Sequence, residues 1–467
     1  MPVEDGTLST KERVDVLLRD DATFAAAAVI PPKPKGTVGR GRNNPDYVWT
    51  LWSGLRDIFG SHTAVERELG RGGWWAYIRK ELFRLRPELF LLPAKPFCRQ
   101  DFEYYRDRYL ATDEGISRSL ELHTRLATEQ AKEAGNLDPH GGGSFTHPAV
   151  ERTQYGDGKV VTPLYKAKPG TTKVNRRTGD ARMVRCDPDA ALYTEGGGNK
   201  VWGVKFALLS TRRPEGRFIL AAEHVAKGKG EPTAAIEMLR RVKPYAPGAQ
   251  AVVWDMILRG DHIQTILTEI GLVPVVGVHA RENPDGKEGR QAGTYVAKTV
   301  DLDDISVTLP DGTTRVAHTA ARNGAASVKE LTEAGEPYYE RMPCGRIQRH
   351  EDKAGYRWYG SHKLPEDYGR KVISVRFHQN ADDDRRGVNR TENLRPIPEG
   401  SRDFWRLHVL LRDAESINRG VEDSLFINRA TAKGWRRQMV DLLGHARLVN
   451  AITLARCRAR ERLGAAA

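Results

Sequence analysis

The segment between residues 150 and 278 constrains the fold most strongly, because its hydrophobic pattern predicts a definite order of strands and helices. It begins with a strand around 155–164 and a hairpin whose strands, 201–210 and 217–225, are joined by the turn TRRPEG. An amphipathic helix (EPTAAIEMLRRV), a short buried strand (AVVWD), a second helix (ILRGDHIQTILTEIG) and another buried strand (LVPVVGV) follow. Three strands followed by alternating helices and strands predict an open α/β sheet.

This order of elements is that of the ribonuclease H-like fold, so the predicted fold class is α/β with a ribonuclease H-like core. In open α/β sheets, functional sites gather at the carboxyl ends of parallel strands. Asp255 ends the buried strand AVVWD, Asp157 lies on the first strand within YGDGKVV, and Glu422 lies on a later helix. These three acids are therefore the candidate catalytic residues.

Three carboxylates that converge on one point repel each other and raise their own pKa values unless divalent cations lie among them. A ligand set made only of oxygen atoms suits Mg²⁺ or Mn²⁺ and argues against zinc. Two such ions, roughly 3.5–4 Å apart, activate an attacking oxygen and stabilise the leaving oxygen in phosphoryl transfer. The three acids therefore predict a two-metal phosphoryl-transfer site.

Each acid also has a structural interpretation that the sequence leaves open. Asp157 lies in GDG, which is typical of a tight turn, and Asp255 stands where it could cap the helix that follows. Glu422 is one of several acids on its helix, and such a face can simply meet solvent. Asp187 and Asp189, in CDPDAALY, are alternative candidates for the first acid, or else belong to a turn before the next strand.

The remainder of the chain divides into four segments by composition and pattern. Residues 1–46, which end near PPKPKGTVGRGRNNP, predict a flexible segment, and residues 47–136 predict a helical domain. Three short helices within 47–85 fit either a DNA-binding helix-turn-helix or an ordinary bundle. Residues 279–400 predict a mainly β insertion, and residues 401–467 predict a core helix followed by a basic C-terminal helix.

Composition indicates the class of partner and the compartment. The chain has 74 Lys and Arg against 61 Asp and Glu, and the net charge of +13 favours a polyanionic partner. Much of the positive charge lies in the C-terminal helix and in a stretch that predicts an exposed loop, KAKPGTTKVNRRTGDARMVR. No apolar run approaches the roughly 20 residues of a membrane span, no secretory signal opens the sequence, and four distant cysteines form no zinc or disulfide pattern. We therefore expect a protein of a reducing cytoplasm.

These motifs resemble the DDE transposases of bacterial insertion sequences. The resemblance rests on YGDGKVV, on DPDAALY followed by WGVKF, on VVWDMILRG and on RGVEDSLFINR, and it covers roughly residues 150–445. It implies that Asp157, Asp255 and Glu422, separated by 98 and 167 residues, form a metal-binding triad for two Mg²⁺ or Mn²⁺ ions. It also implies DNA cleavage at transposon ends and strand transfer into target DNA.

The resemblance further implies double-stranded DNA as the partner, a homodimer on paired ends, no membrane, and association with the bacterial nucleoid through DNA. Family members often carry the signature Y-x2-R-x3-E-x6-K on the catalytic helix. Here Arg429 follows Glu422 in the place of the lysine, whereas Glu415 and Asn418 hold the places of the tyrosine and the arginine, with Arg419 one residue further on. The implied DNA-binding residues are Arg419, Arg429, Lys433, Arg436 and Arg437.

Two other functions fit the same sequence. A ribonuclease H-like nuclease would use the same acids to cut DNA without strand transfer. A non-catalytic DNA-binding protein derived from a transposase would keep the basic surface without needing three convergent acids.

Overall fold

The computed structural model describes residues 8–32, 44–90, 92–195, 198–278 and 299–466. The chain folds as a mixed α/β protein in two compact units, each built from separate stretches of sequence. The first unit comprises Met1–Asn136, Gly158–Tyr245 and Ala414–Ala467, and the second comprises Leu137–Asp157 and Ala246–Asp413. The helical N-terminal segment, part of the core and the C-terminal helix thus form one unit, rather than the separate segments predicted from composition.

The helices of the described residues are distributed over both units. They are α1 (Thr10–Arg19), α2 (Asp21–Ala25), α3 (Tyr47–Phe59), α4 (His62–Gly70), α5 (Gly73–Leu85), α6 (Arg99–Tyr105), α7 (Asp113–Glu133), α8 (Gly230–Val242), α9 (Gly260–Thr265), α10 (Ala381–Arg386), α11 (Arg390–Asn393), α12 (Arg402–His408), α13 (Leu410–Gly420) and α14 (Trp435–Ala466). None of these helices has the length and apolar character that crossing a membrane requires.

The strands of the described residues begin with the core strand β1. They are β1 (Thr153–Val161), β2 (Thr172–Val174), β3 (Ala181–Met183), β4 (Ala191–Thr194), β5 (Lys200–Arg213), β6 (Gly216–His224), β7 (Ala251–Val253), β8 (Val273–Val275), β9 (Thr299–Thr308), β10 (Thr314–Arg322), β11 (Ala325–Leu331), β12 (Pro337–Arg341), β13 (Cys344–Asp352), β14 (Gly355–Lys363) and β15 (Val372–Arg376).

Strand β1 lies in the middle of the main sheet, whose hydrogen-bonded order is β4-β5-β1-β7-β8, with β6 also paired to β5. β5 and β6 form the predicted antiparallel hairpin, whereas β7 runs parallel to both β1 and β8. The short strands β7 and β8 are buried at every residue, which is typical of parallel strands covered on both faces. The predicted order of core strands and helices is therefore confirmed, with β2, β3 and β4 added between the first two core strands.

Helix α14 covers strand β6 and satisfies part of its backbone. The pairing of β5 with β6 shifts register between Leu209 and Ser210, next to Ile219, so the ladder is interrupted there. Asn450 of α14 accepts a hydrogen bond from the Ile219 N–H at 2.7 Å and donates one to the Ile219 carbonyl at 3.0 Å. His123 of α7 lies 3.1 Å from the same carbonyl, and burial lowers its pKa to about 3, so its imidazole is neutral at physiological pH. The C-terminal helix is therefore a core element of the first unit.

Most of the positive charge of α14 is buried or paired with carboxylates inside the first unit. We had expected this helix to present its charge to DNA. Arg447 is half-buried, and burial lowers its pKa to about 10. Four other arginines pair with carboxylates of the same unit, which are Asp113 for Arg436, Asp107 for Arg437, Glu133 for Arg458 and Glu215 for Arg460. Net charge along a sequence does not reveal such pairing, because the partners lie far away in the chain.

Part of the N-terminal segment predicted to be flexible is folded. Helices α1 and α2 occupy residues 10–25, and Val14, Leu17 and Leu18 of α1 are fully buried. Their spacing places all three on one face of the helix, which is the pattern of an amphipathic helix on a core. Residues 1–7 and 33–43 of the predicted segment lie outside the described residues.

The described part of the predicted insertion, residues 299–400, contains seven strands, β9 to β15, in the second unit. It forms one sheet of order β12-β11-β10-β9 and another of order β13-β14-β15. Trp358 of β14 is fully buried, and its Nε1 donates to the Leu267 carbonyl at 2.6 Å, just after α9. This bond ties the second sheet to the core of its unit. Most of the predicted strand GTYVAKTV lies outside the described residues.

The helix predicted to carry both Glu422 and Arg429 ends earlier than the sequence indicates. After α13 the chain makes one π-helical turn, Val421–Leu425, and then has no regular structure until α14. Asn428 has a φ of 63°, in the left-handed region, which a continuing α-helix does not allow. Arg429 therefore lies on an irregular segment, and the signature spacing of one helix does not apply to it.

Replacing Asn450 by Leu tests the role of α14 in completing the sheet. The Ile219 N–H would remain buried without a partner, so we expect the free energy of unfolding to fall by about 2–4 kcal/mol. Thr453→Val removes a single bond of 2.9 Å to the Arg217 carbonyl, and a loss of about 1 kcal/mol is expected. Urea unfolding followed by circular dichroism measures both losses, and equal stability of wild type and Asn450→Leu would contradict this role.

Candidate metal-binding acids and a basic cavity

Asp157 lies on β1, and Asp255 follows the neighbouring parallel strand β7 by two residues, both in the second unit. The register of β1 and β7 pairs Tyr155 with Val253. Continued two residues further along both strands, this register would bring Asp157 opposite Asp255, with both side chains on one face because strands have a period of two. Because neighbouring strands lie about 4.8 Å apart, we expect the two carboxylates to lie close together just beyond the end of β7.

Asp157 belongs to the strand and not to a tight turn. β1 runs without interruption from Thr153 to Val161, so the GDG sequence lies inside it. A Cβ atom at Gly158 would lie 2.2 Å from Oε2 of Glu231, a buried carboxylate that pairs with Lys205 at 2.8 Å. Close packing therefore explains the glycine after Asp157, and Asp157 itself is half-buried.

Asp255 is not the cap of the helix that follows it. Helix α9 begins five residues later, at Gly260, and the Gly260 N–H donates to Oε2 of Glu392 at 2.6 Å. Asp255 is exposed, and its Oδ1 accepts a hydrogen bond from the Ile257 N–H at 3.1 Å, as in an Asx turn. The helix-cap interpretation of Asp255 is therefore wrong, because the chain makes a turn before the helix starts.

Glu422 lies in the first unit, on the π-helical turn after α13, and it is exposed. Its Oε1 is 2.9 Å from Nζ of Lys159. Lys159 follows Asp157 by two residues on β1, so the two side chains leave the strand on the same face. Sequence reasoning missed Lys159, although it stands inside the quoted motif YGDGKVV.

Asp57 of helix α3 anchors the turn that carries Glu422. The Ser424 hydroxyl donates to Oδ1 of Asp57 at 3.2 Å, and His445 of α14 lies 3.1 Å from the same oxygen. Burial alone would raise the pKa of Asp57, but His445 and Arg13 hold it below its usual value. The buried carboxylate therefore connects α3, α14 and the turn.

Arg56, the neighbour of Asp57, holds the segment beyond the turn. Its side chain is fully buried, and it donates to the Thr431 hydroxyl at 3.1 Å. The guanidinium also lies 5.7 Å from the ring centroid of Phe426, within the range of a cation–π contact. The sequence TLWSGLRDIFGSH thus supplies two charged core residues that position the chain around Glu422.

Asp187 and Asp189, the alternative first acids, cap helix α14. Oδ2 of Asp187 accepts hydrogen bonds from the Gly434 N–H at 3.0 Å and from Nε2 of Gln438 at 3.2 Å. Oδ2 of Asp189 accepts one from the Trp435 N–H at 3.0 Å. Carboxylates at a helix N-terminus meet unpaired N–H groups and the positive end of the helix dipole. These contacts give both acids a structural role.

A cavity of about 540 Å³ in the first unit has a positively charged lining. Its basic residues are Arg99, Arg106, Arg429, Lys433 and Arg437, and its acids are Glu103 and Asp107. The exposed side chains of Arg429 and Lys433 form no ion pair with any carboxylate that the structure describes. The cavity therefore brings together three of the implied DNA-binding residues and retains an excess of positive charge for an anion.

Two of these basic side chains share one carboxylate of the cavity lining. Arg437 makes two hydrogen bonds of 2.8 Å to Asp107, and Arg106 makes one of 2.9 Å. Burial alone would raise the pKa of Asp107, but the bonds from Arg106 and Arg437 hold it below its usual value. Asp107 offsets one of these two positive charges, so the charge left for a ligand is that of Arg429, Lys433 and one of the two paired arginines.

His62 also lines the cavity, but both of its ring nitrogens are engaged. Nε1 of Trp52, which can only donate, lies 3.0 Å from Nδ1 of His62. Nδ1 therefore carries no proton, and Nε2 donates to Oδ1 of Asp441 at 3.0 Å, an assignment that rests on the partners. His62 is thus a structural residue.

The remaining implied DNA-binding residues differ in their surroundings. Arg419 is exposed on α13, and no ion pair involves it among the described residues. Arg436 pairs with Asp113, and its guanidinium lies over the ring of Trp435, 4.9 Å from the centroid. Trp435 in turn stacks on His224 at 4.5 Å, and burial lowers the pKa of His224 to about 4. Arg419, Arg429 and Lys433 therefore carry the charge that is available to a phosphate.

Within the described residues, no group of three or more His, Cys, Asp or Glu side chains is arranged to hold a metal ion. Asp157 and Asp255 both belong to the second unit, whereas Glu422 belongs to the first, where Lys159 pairs with it. The two aspartates supply carboxylate oxygens, the donors that Mg²⁺ and Mn²⁺ prefer. The donor chemistry thus fits such ions.

Asp187→Asn distinguishes a helix cap from a catalytic acid. Loss of two charge-assisted bonds at a buried site should lower the free energy of unfolding by about 1–3 kcal/mol. Any metal-dependent DNA cleavage per folded molecule should stay unchanged. Asp423→Asn, at an exposed acid on the turn of Glu422, is the control for stability. Unchanged stability together with lost cleavage would show that Asp187 is the first acid.

No protein-family model matches the sequence, and a comparison with curated proteins finds no relative. Among solved structures, the chain is similar to one described as the cryo-EM structure of a piggyBac transposase synaptic complex with hairpin DNA. The identity is 9%, and the match covers 98% of this chain and 77% of that chain, with a TM-score of 0.36. At that TM-score, the likeness shows neither a shared fold nor a shared function.

Proposed function

We propose that the chain is a DDE transposase with a ribonuclease H-like core, which cuts DNA at transposon ends and joins them to target DNA. The observation that carries the proposal is the parallel register of β1 and β7. It supports a position of Asp157 beside Asp255 at the carboxyl end of the buried strand β7. The order of core strands, with β1 between β5 and β7, supports the same core. Sites of open α/β sheets gather at such strand ends.

The proposed role of Asp157 and Asp255 is to hold divalent cations, Mg²⁺ or Mn²⁺. Both acids stand on or directly after buried backbone, so their oxygens are held by rigid elements, as a metal site requires. When bound, two such ions would activate the attacking oxygen and stabilise the leaving oxygen. Exposure of Asp255 leaves room for DNA to approach.

Glu422 is the proposed third ligand. Its turn is anchored by Asp57 and Arg56, so the carboxylate has a defined location although it is exposed. Lys159 must release Glu422 before that carboxylate can bind a cation, because the ammonium and a metal ion compete for the same oxygens. In this proposal Lys159 balances the acidic charge of the site until a cation replaces it.

Arg419, Arg429 and Lys433 are the proposed phosphate contacts. Each is exposed and retains its positive charge, and the cavity that contains Arg429 and Lys433 has the volume to admit part of a DNA backbone. Contacts to phosphates orient a nucleic acid without reading its sequence. Double-stranded DNA is therefore the proposed partner, and a homodimer on paired ends is the proposed assembly.

The proposed reaction is an in-line displacement at phosphorus in two successive steps. In the first, a water oxygen bonds to the phosphorus, the bond to the 3′ oxygen breaks, and that oxygen leaves as a 3′-hydroxyl after taking a proton. In the second, the same 3′-hydroxyl attacks a phosphodiester of target DNA, and a 3′-hydroxyl of the target leaves. A nuclease without strand transfer would carry out the first step alone.

Cleavage and strand-transfer assays with purified protein test this proposal, on DNA that carries the sequences flanking its gene. Asp157→Asn, Asp255→Asn and Glu422→Gln should each lower both rates at least 100-fold, an order-of-magnitude expectation, because each removes a carboxylate charge from the metal ligands. Removal of divalent cations with a chelator should abolish both reactions in wild type.

Asp261→Asn is the matched control, since Asp261 is an exposed acid six residues after Asp255 and lies on α9. It should retain wild-type rates. Full activity of Asp157→Asn or Asp255→Asn would rule out the proposed site. Metal-dependent cleavage without strand transfer would support the nuclease in place of the transposase.

A further inference from the structure

The basic loop predicted from KAKPGTTKVNRRTGDARMVR is a two-stranded antiparallel β-ribbon of the first unit. β2 and β3 pair with Thr172 opposite Met183, Lys173 opposite Arg182 and Val174 opposite Ala181. The Asn175 N–H donates to the Asp180 carbonyl at 2.8 Å and closes the tip. All residues from 168 to 183 are exposed.

The ribbon carries a large excess of positive charge. Residues 166–185 contain seven Lys and Arg and one acid, Asp180. Lys168, near the base, lies 5.8 Å from the ring centroid of Trp202. No carboxylate among the described residues pairs with any of the seven. This excess of unpaired, exposed positive charge attracts a polyanionic partner.

The two faces of the ribbon differ in chemistry. Lys173 and Arg182 are direct cross-strand neighbours on one face, and like charges in that position destabilise a strand pair. The other face carries Val174 and Met183, whose side chains are 55% and 72% exposed. Water is an unfavourable environment for this apolar face, and anions would relieve the repulsion on the basic face. Both features therefore favour a partner that is charged and has apolar surface.

We propose that this ribbon inserts into the major groove of double-stranded DNA. Two strands about 4.8 Å apart, with their side chains, match a major groove that is about 12 Å wide and admits a two-stranded ribbon. Lys173 and Arg182, with Arg176 and Arg177 at the tip, contact phosphates along the groove. Val174 and Met183 contact the apolar parts of the groove, such as thymine methyl groups.

This inference takes from the proposed function only that the partner is DNA. Its test measures binding and needs no catalytic activity. We therefore measure binding without divalent cations, by fluorescence anisotropy, on a labelled DNA duplex of about three helical turns and on an RNA duplex of the same sequence. The major groove of an RNA helix is deep and too narrow for side chains to read, so it separates groove insertion from simple attraction to phosphates.

The main variant neutralises the ribbon with Lys173→Ser, Arg176→Ser, Arg177→Ser and Arg182→Ser. Its affinity for the DNA duplex should fall at least about tenfold, and the slope of log affinity against log salt should decrease by about 3–4. A second variant replaces residues 172–183 by Asn-Gly. Thr171 and Val184 are joined by a hydrogen bond of 2.9 Å, so a two-residue turn can close the shortened ribbon.

The matched control removes four exposed cations of the second unit, by Lys353→Ser, Arg357→Ser, Arg370→Ser and Arg385→Ser, and should bind the DNA duplex as wild type does. Wild-type affinity of both ribbon variants overturns the inference and leaves the proposed function untouched. An equal loss on DNA and RNA duplexes also overturns groove insertion. If Asp157→Asn loses cleavage but binds DNA normally, the result supports the proposed catalytic site and does not bear on the ribbon.

Discussion

The parallel pairing of β1 with β7 is the constraint on which the candidate site depends. A shift of that register by one residue would send one aspartate to the opposite face of the sheet, because strand side chains alternate. The register is strongly specified, since Tyr155 and every residue of β7 are buried. Continued by two residues, this register would bring together two acids that are 98 residues apart in sequence. The catalytic proposal follows from this pairing and not from the acids alone.

The first unit positions its charged residues through buried polar contacts. Asn450 completes the backbone pairing of β6, Asp187 caps α14, and Asp57 holds the turn of Glu422. Such hydrogen bonds are directional. Because water is excluded from these sites, each buried polar group can bond only to the partner that the protein provides. The irregular segment that carries Arg429 is therefore attached at defined points, and a cationic cavity can exist beside a chain without regular structure.

The spacing of apolar residues along the sequence predicted most core elements, because a period of two or of 3.6 residues indicates which face of a strand or helix is buried. The hairpin around TRRPEG, the buried strand before Asp255 and the helix stop at Gly60, whose φ is 88°, are examples. The partners of individual charged residues could not be predicted in this way, because they lie far away in the sequence. Asp187 meets a helix that begins 248 residues later, and Lys159 meets Glu422 263 residues away. The charge of α14 was misjudged for the same reason, because its partners lie on α7 and elsewhere.

Ferrous iron provides the most direct test of the paired aspartates, because iron held in a magnesium site generates radicals that cut the nearby backbone in the presence of ascorbate and peroxide. Fragments mapped by mass spectrometry should end near Asp157 and near Asp255 together. Both sets should disappear when excess Mg²⁺ is added or when either aspartate is changed to Asn. Cuts at only one of these strands, or cuts that persist in Asp157→Asn, would contradict a metal site shared by the two residues.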